Sequence, residues 1–226
     1  ISKDNSYLKK ISTKTRLKPK ITFVNFKNIE KIKKKILNPY FKNINNLQNL
    51  SFIFEISKKL GLNKKKIIKS LNSFRGLKFR QQIIYENKKL SVINDSKSTS
   101  FSSSSNLLKS YNNIYWIVGG LYKKGDNFDL NKRYYKSIKV YIYGKYKNYF
   151  IRQFRNKIKY KVFSNIREVL KEIICDIRYD KFCKNKKEIL FSPSAASFDS
   201  FKNFEERGMY FNYLIKKLNF IKNVNA

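Results

Sequence analysis

The sequence SPSAASFDSFKNFEERG, residues 192–208, indicates the fold more strongly than any other segment, and it directly follows the apolar run EILF at 188–191. This order predicts a buried strand that ends in small hydroxyl residues and then turns into a helix. A helix N-terminus binds anions because it offers unpaired N–H groups and the positive end of the helix dipole. The alanines would let a ligand approach the backbone, and hydroxyl groups would come from Ser192, Ser194 and Ser197. The segment therefore predicts an anion-binding site at the end of a strand.

Short apolar runs alternate with amphipathic segments from about residue 81 onward. This alternation predicts an α/β fold with a mostly parallel, Rossmann-like sheet covered by helices on both faces, and ligands of such sheets bind where strands end. The predicted strands are 82–85, 89–93, 114–118, 137–143, 161–163 and 188–191. The predicted helices are 100–111, 164–177 with Ser164 as its cap, and a last helix with Phe211, Leu214, Ile215 and Leu218 on one side.

The part of the chain before residue 76 has a different pattern. A strand is predicted at 21–26, a largely buried helix at 49–60, and a second helix at 63–74. Asn63 is the predicted N-cap of the second helix, since an Asn side chain accepts hydrogen bonds from the first free N–H groups.

Positive charge is the strongest compositional signal, with 51 Lys and Arg residues against 15 Asp and Glu and a formal net charge of +36. A basic stripe is typical of nucleic-acid-binding proteins. Here the charge is spread along the whole chain, and Lys, Asn, Ile, Phe and Tyr are abundant together, as an AT-rich coding sequence would produce. We therefore expect no specific nucleic-acid partner, although nonspecific binding to polyanions at low salt is expected.

The residue composition disfavours a metal site, a disulfide framework and a membrane span. The chain has no histidine, and its two cysteines, Cys175 and Cys183, form no CxxC pair. No apolar run approaches the length of a membrane span, and the first residues lack a signal-peptide pattern. With 42% hydrophobic and 16% aromatic residues, the chain can bury a core. A soluble cytoplasmic protein with reduced thiols is expected.

Five motifs, in the same order along the chain, resemble those of the Mur ligases. Five motifs in order are far more specific than any one of them alone, and together they cover roughly residues 40–220. The five are NNLQN at 45–49, similar to the family's HNxxN; GLKFR at 76–80, similar to its GLxHR hinge; NDSKST at 94–99, similar to NDSKAT; GGLYK at 119–123, similar to GGxxK; and the segment 192–208, similar to its C-terminal signature.

This resemblance implies two domains: residues 1–76 would end the family's central ATP-binding domain, which has a P-loop-type fold, and residues 77–226 would form its C-terminal amino-acid-binding domain. The string GxxxxGK[ST] does not occur, so we expect the P-loop, the carbamylated lysine and the Mg²⁺ ligands to lie in a part that precedes this chain. The chain alone is therefore expected to be inactive.

The resemblance also implies ATP-driven amide formation in peptidoglycan biosynthesis. The carboxylate of UDP-N-acetylmuramoyl-L-alanine would become an acyl phosphate, which the amine of D-glutamate would attack, in an enzyme that is a monomer at full length. The C-terminal domain would orient the amine and close the cleft. Two alternatives are a Mur-type ligase for another amino acid, which the Ser197 and Phe204 signature disfavours, and a decayed basic nucleic-acid-binding remnant.

By the same resemblance, Lys123 and Thr99 would hold the α-carboxylate of D-glutamate. Ser197, with the backbone near Phe198 and Phe204, would hold its side-chain carboxylate. A cation, hydroxyl groups and a helix N-terminus suit a dicarboxylate. A single small ligand must touch Thr99, Lys123 and Ser197, so their tips should converge within about 10 Å at the edge where the strands end.

Four residues are implied to contact the nucleotide. Asp95 would bind the ribose, Lys97 would lie near the phosphates, Arg80 would reach the nucleotide from the hinge, and Asn49 would read the adenine. Without the motifs, Asp95 would equally well be a turn or cap aspartate, Asn49 would equally well be a helix cap, and Lys123 would be an ordinary surface lysine.

Four positions depart from the family pattern. They are Phe79 and Asn45, each in place of a histidine, Ser100 in place of an asparagine, and Phe198 in place of a leucine. The lost histidines affect the expected nucleotide contacts, whereas the three D-glutamate side chains are unchanged.

Overall fold

The computed structural model describes residues 5–8, 10, 21–25, 29–42, 44–179 and 185–225. The chain divides into two units, Ile1–Gly76 and Leu77–Ala226. Cys183 and the last residue of the predicted strand at 21–26 lie outside the described residues.

The first unit consists of helices around a small apolar core. Asn63 caps the last of these helices, as predicted, because its side-chain oxygen accepts hydrogen bonds from the N–H groups of Lys65 (2.8 Å) and Lys66 (3.2 Å). The helices are α1 (Glu30–Lys33), α2 (Ile44–Lys59) and α3 (Lys64–Ser73). The buried core residues are Ile29, Phe41, Leu50 and Leu71.

Two predictions for this unit are wrong. Residues 21–25 form no strand, since Val24 makes only an isolated bridge. The helix predicted at 49–60 begins at residue 44 and is not largely buried: Leu50 is buried, but Ile56 and Leu60 are 58% and 68% exposed. The small core of the described residues covers one face of α2, and apolar residues on the other faces remain exposed.

The second unit contains one six-stranded sheet in the order β1-β2-β6-β3-β4-β5. β1 is antiparallel to β2, and the other neighbours are parallel, which confirms the predicted mostly parallel α/β fold. A polar turn precedes β2, where the Asn87 side chain accepts hydrogen bonds from the N–H groups of Lys89 and Leu90. The strands are β1 (Gln82–Glu86), β2 (Leu90–Asn94), β3 (Ile114–Gly119), β4 (Ile138–Tyr143), β5 (Tyr160–Phe163) and β6 (Lys187–Phe191).

Helices cover both faces of this sheet and form one apolar core on each side. The helices are α4 (Phe101–Ser110), α5 (Lys147–Phe154), α6 (Ile166–Tyr179), α7 (Phe204–Lys217) and α8 (Phe220–Asn225). Side chains of α4 and α5 pack on one face, and those of α6, α7 and α8 pack on the other. The apolar residues of α6 recur at helical spacing and are buried from Ile166 to Ile177. The sheet therefore lies between two packed layers of helices.

Three details of the helices differ from the prediction. Helix α5 was not expected, although Phe150 and Phe154 bury its inner face at i, i+4 spacing. Asn165 rather than Ser164 caps α6, because the Asn165 side-chain oxygen accepts a hydrogen bond from the Glu168 N–H at 3.0 Å. The last helix is interrupted at Asn219, whose φ of +45° ends α7 and starts the turn into α8.

Candidate functional site

Three loops lie at one edge of the sheet because the strands that precede them are neighbours. We name them the β2 loop (residues 95–100), the β3 loop (residues 120–126) and the β6 loop (residues 192–203). Strand β6 lies between β2 and β3 and is parallel to both. The carboxyl ends of such strands form the edge at which α/β sheets bind ligands.

Hydrogen bonds fix the central β6 loop to the loops on either side. Asp95 of the β2 loop donates its N–H to the carbonyl of Phe191, the last residue of β6, at 2.7 Å, and its carboxylate accepts a hydrogen bond from the Ser192 hydroxyl of the β6 loop at 2.8 Å. Leu121 and Ala196 exchange two hydrogen bonds of 2.9 Å and so form an antiparallel bridge. The three loops therefore form one connected edge rather than three independent segments.

The D-glutamate residues expected from the sequence all belong to these loops or to the helix that follows them. Thr99 and Lys123 are exposed on the β2 and β3 loops, and Ser197 is buried in the β6 loop. Phe198 is 70% exposed, and half-buried Phe204 is the first residue of α7. All five residues thus lie at the carboxyl edge of the sheet.

Two of the serines expected to offer hydroxyl groups to an anion do not face solvent. Ser192 and Ser194 are buried, and their hydroxyl oxygens lie 2.7 and 2.6 Å from the hydroxyl of Ser104 in α4. A buried hydroxyl group must be hydrogen-bonded inside the protein, and these two are. Helix α7 begins at Phe204, within the predicted segment, so the three serines lie in the loop before it. Ser197 is the serine of this segment that remains a candidate ligand.

Asp95 is buried and already has protein partners on both carboxylate oxygens. One oxygen accepts a hydrogen bond from the Gln81 N–H at 3.0 Å, and the other accepts one from the Ser192 hydroxyl at 2.8 Å. Burial raises the pKa of Asp95 to about 7, although these two hydrogen bonds and the charges of Arg80 and Arg207 act to lower it. Asp95 therefore links the β2 loop to the β6 loop and to residues 77–81, and its ribose contact stays a prediction.

Replacement of Asp95 by Asn should flatten the pH dependence of stability. Between about pH 4 and pH 7 the folded chain keeps a proton on Asp95 that the unfolded chain has lost, so stability falls as pH rises through this window. The penalty is complete above the raised pKa and should be on the order of 2–4 kcal/mol. Urea unfolding at about pH 5 and pH 8 should show a larger loss for the wild-type chain than for Asp95→Asn. Asp129→Asn, at an exposed aspartate, is the control, and equal losses in all three chains would contradict this role.

Lys97 and Phe204 meet across the site. The Lys97 ammonium lies 3.7 Å from the centroid of the Phe204 ring, a cation–π contact. A residue implied for the phosphates and one implied for D-glutamate are therefore neighbours.

Phe79 belongs to the hinge motif at residues 76–80 and stands where the family has a histidine. Phe79 is buried with a φ of +60°, and a Cβ on Gly208 would lie only 2.3 Å from its ring. The phenyl ring thus packs directly on the glycine of α7, an apolar contact that explains a phenylalanine at this position. Arg80, the next residue, is exposed.

The structure shows whether Asn49 and Ser100 cap helices. Asn49 is exposed inside α2, five residues after its start, so the helix-cap alternative is wrong. Ser100 is the N-cap of α4, since its hydroxyl accepts a hydrogen bond from the Ser103 N–H and the Ser103 hydroxyl accepts one from the Ser100 N–H. The serine that stands in place of asparagine therefore caps α4.

Arg207 is a residue of the site that sequence reasoning missed. It is completely buried, and its guanidinium donates to the Ser96 hydroxyl and to the carbonyls of Ser96 and Ala195. An arginine is normally expected at the surface. The available signal is its position four residues before the buried Phe211, on the same face of α7.

Neither a metal centre nor a membrane segment is found in the described parts of the chain. No three His, Cys, Asp or Glu side chains are grouped there in a way that would hold a metal ion. Within the same ranges, none of the helices is both long and apolar enough to cross a bilayer.

Comparison with curated proteins gives matches to ligases of one name. No family model matches the chain. It is 35% identical over 184 residues to the UDP-N-acetylmuramoylalanine–D-glutamate ligase of Rickettsia prowazekii, a match covering 80% of this chain and 40% of that protein. It is 32% identical over 179 residues to the ligase of the same name from Wolbachia pipientis wMel, covering 78% and 34%. The chain thus spans about two fifths of the length of such relatives.

A crystal structure of UDP-N-acetylmuramate–alanine ligase MurC from Thermotoga maritima matches with a TM-score of 0.52 at 14% identity, over 78% of this chain and 39% of that one. At this identity the match supports the fold alone. The five ordered motifs, the parallel sheet and the sequence matches agree: the chain belongs to the Mur ligase family, as a relative of the UDP-N-acetylmuramoylalanine–D-glutamate ligases.

Proposed function

We propose that this chain is the amino-acid-binding portion of an ATP-dependent ligase that joins D-glutamate to UDP-N-acetylmuramoyl-L-alanine. In this proposal, residues 77–226 are the family's C-terminal domain and residues 1–76 are the end of its central domain. The observation that supports it most is the position of Thr99, Lys123 and Ser197 on three connected loops at the carboxyl edge of the sheet.

The edge offers separate groups for the two carboxylates of D-glutamate. The Lys123 ammonium and the Thr99 hydroxyl would take the α-carboxylate through charge-assisted hydrogen bonds. The Ser197 hydroxyl and the first N–H groups of α7 would take the other carboxylate, because those groups have no acceptor within the helix. The Glu206 N–H already donates to the Asn203 side chain at 2.8 Å. The carboxylate would therefore accept from N–H groups that come before Glu206 in the first turn of α7. Held at both ends, the substrate would present its amine in one orientation.

The proposed nucleotide contacts involve the exposed Arg80 and Asn49, the half-buried Lys97 and the buried Asp95. ATP would supply the phosphoryl group that activates the alanine carboxylate. Lys97 would place positive charge near the phosphates, Arg80 would approach from the hinge, and Asp95 and Asn49 would contact the ribose and the adenine. In this proposal the Mg²⁺ ligands would lie in a part of the enzyme outside this chain. Among the described residues, no three His, Cys, Asp or Glu side chains are grouped so as to hold a metal ion.

An NMR titration of the 226-residue chain tests the proposal directly. D-Glutamate should shift the backbone amide signals of the three loops in a saturable manner. L-Glutamate and acetate, at matched ionic strength, are the controls, because a chain with a net charge of +36 binds anions nonspecifically. Equal shifts with all three ligands, or no saturable shift with D-glutamate, would count against the proposed substrate.

The alternative amino-acid specificity is tested by the same titration. A Mur-type ligase for an uncharged amino acid should respond to D- or L-alanine at least as strongly as to D-glutamate. The paired anion groups described above favour the dicarboxylate instead.

A further inference from the structure

Arg207 contacts the β2 loop and the β6 loop, which follow two neighbouring strands. Its Nε donates to the Ser96 hydroxyl at 3.0 Å, and one terminal nitrogen donates to the carbonyls of Ser96 (2.6 Å) and Ala195 (2.9 Å). Ser96 lies three residues before Thr99, and Ala195 lies two residues before Ser197. One guanidinium thus fixes the backbone next to two of the proposed D-glutamate ligands.

The third loop also packs against this side chain. Gly120, the first residue of the β3 loop, has a φ of +125°, and a Cβ there would lie 3.0 Å from the other terminal nitrogen of Arg207. The same Cβ would lie 2.5 Å from the Ala196 carbonyl oxygen. The absence of a side chain at Gly120 is therefore what allows the β3 loop, with Lys123, to reach the guanidinium.

The first turn of α7 is connected to the same group through Ser96. The Ser96 hydroxyl accepts the hydrogen bond from Arg207 and donates its own proton to the Phe204 carbonyl at 2.8 Å. The N-terminus of α7, which would bind the second carboxylate, is therefore fixed relative to the β2 loop.

Among the described residues, no carboxylate forms an ion pair with Arg207. The buried Tyr143 hydroxyl and the Asp199 carboxylate nevertheless lie near it. A buried charge that lacks a counter-ion costs free energy of folding. Burial raises the pKa of Asp199, and the nearby charge of Arg207 acts to lower it. The guanidinium of Arg207 therefore lies beside the three loops that are proposed to bind a dicarboxylate.

We propose that Arg207 is a positioning residue that holds the β2, β3 and β6 loops in the arrangement that binds a dicarboxylate amino acid. The identity of that ligand rests on the proposed function, whereas the positioning of the loops does not. Only a planar guanidinium with several fixed N–H groups reaches Ser96 and Ala195 together, and a lysine ammonium at the same place keeps the charge without that geometry.

The test compares Arg207→Lys with the wild-type 226-residue chain. Amide hydrogen exchange in the three loops should become about 10-fold faster or more in the variant, while the interior of β3 stays protected. By NMR titration, the affinity for D-glutamate should fall about 10-fold or more, and the affinity for D-alanine should change less. The ratio of the two affinities is the informative quantity, because a merely structural role would not alter the preference for a second carboxylate.

Arg178→Lys is the matched control. Arg178 joins helix α6 to helix α8 through hydrogen bonds to Asn223. Like Arg207 it connects separate segments, but it lies outside the three loops. It should leave both loop exchange and the affinity ratio unchanged. If Arg207→Lys does not fold, Ser96→Ala removes one contact of the guanidinium and should loosen the β2 loop and the first turn of α7 selectively.

The possible results separate the two ideas. Unchanged loop exchange in Arg207→Lys, or in Ser96→Ala where the first variant does not fold, would overturn the positioning role. Faster exchange with an unchanged affinity ratio would overturn its link to the dicarboxylate. Loosened loops in a chain whose wild-type form binds no D-glutamate would leave the positioning intact and count against the proposed function instead.

Discussion

The 226-residue chain alone should form no amide bond and hydrolyse no ATP when supplied with Mg²⁺, D-glutamate and UDP-N-acetylmuramoyl-L-alanine. Its sequence contains no GxxxxGK[ST] string. ATP chemistry of this type needs that loop, because the loop's backbone N–H groups and lysine hold the phosphates during transfer. Phosphate release and product formation should both remain at the level of a protein-free control.

A chimaera provides the complementary measurement. The matching N-terminal part of the Rickettsia prowazekii ligase, placed before residue 1 of this chain, should restore D-glutamate-dependent phosphate release. Replacement of the P-loop lysine in that part by alanine should abolish it again. ATP turnover by the isolated chain that requires both Mg²⁺ and D-glutamate would show that the expectation is wrong.

The fold was predictable where periodicity is strong. Helix α6 repeats its apolar residues with helical spacing, and each of them, from Ile166 to Ile177, is buried. Periodicity failed in the first unit, where Leu50, Ile56 and Leu60 are all apolar but only Leu50 is buried. A sequence shows which faces are apolar, but it does not show how many of those faces find a neighbour.

The site was predictable only in part, since its position follows from topology and its internal contacts do not. Loops after parallel strands must meet at one edge, and Thr99, Lys123 and Ser197 do follow the carboxyl ends of neighbouring parallel strands. That their side chains converge on one ligand stays a prediction. Whether a serine hydroxyl faces a ligand or another serine depends on side-chain packing, and Ser192 and Ser194 turned inward toward Ser104.

Buried charge was the least predictable feature. Arg207 and Asp95 both lie inside the protein, although charged residues rarely do so unless paired. Their hydrogen-bond partners are backbone groups and serines of distant segments. Sequence spacing does not reveal such partners. Both residues connect loops of the candidate site, so the features that local rules missed are concentrated there.

Lys123→Ala should strongly reduce the use of D-glutamate and leave the use of ATP nearly unchanged. The loss of a charge-assisted contact to a substrate carboxylate should cost about 2–4 kcal/mol of binding. This corresponds to a fall of roughly 30- to 1,000-fold in kcat/KM for D-glutamate. The measurement requires a complete enzyme, such as the active chimaera, with D-glutamate and ATP varied separately.

Lys124→Ala is the matched control for this change. Lys124 is the next residue of the β3 loop and is exposed like Lys123, so its loss removes the same charge from the same loop. If Lys123 acts only through the overall positive charge of the chain, both substitutions should weaken D-glutamate use slightly. Added salt should then reduce the difference from wild type. If Lys123 contacts the carboxylate, its variant alone should show the large effect, and moderate salt should not remove it. An unchanged KM and kcat for D-glutamate in Lys123→Ala would exclude this lysine from the site.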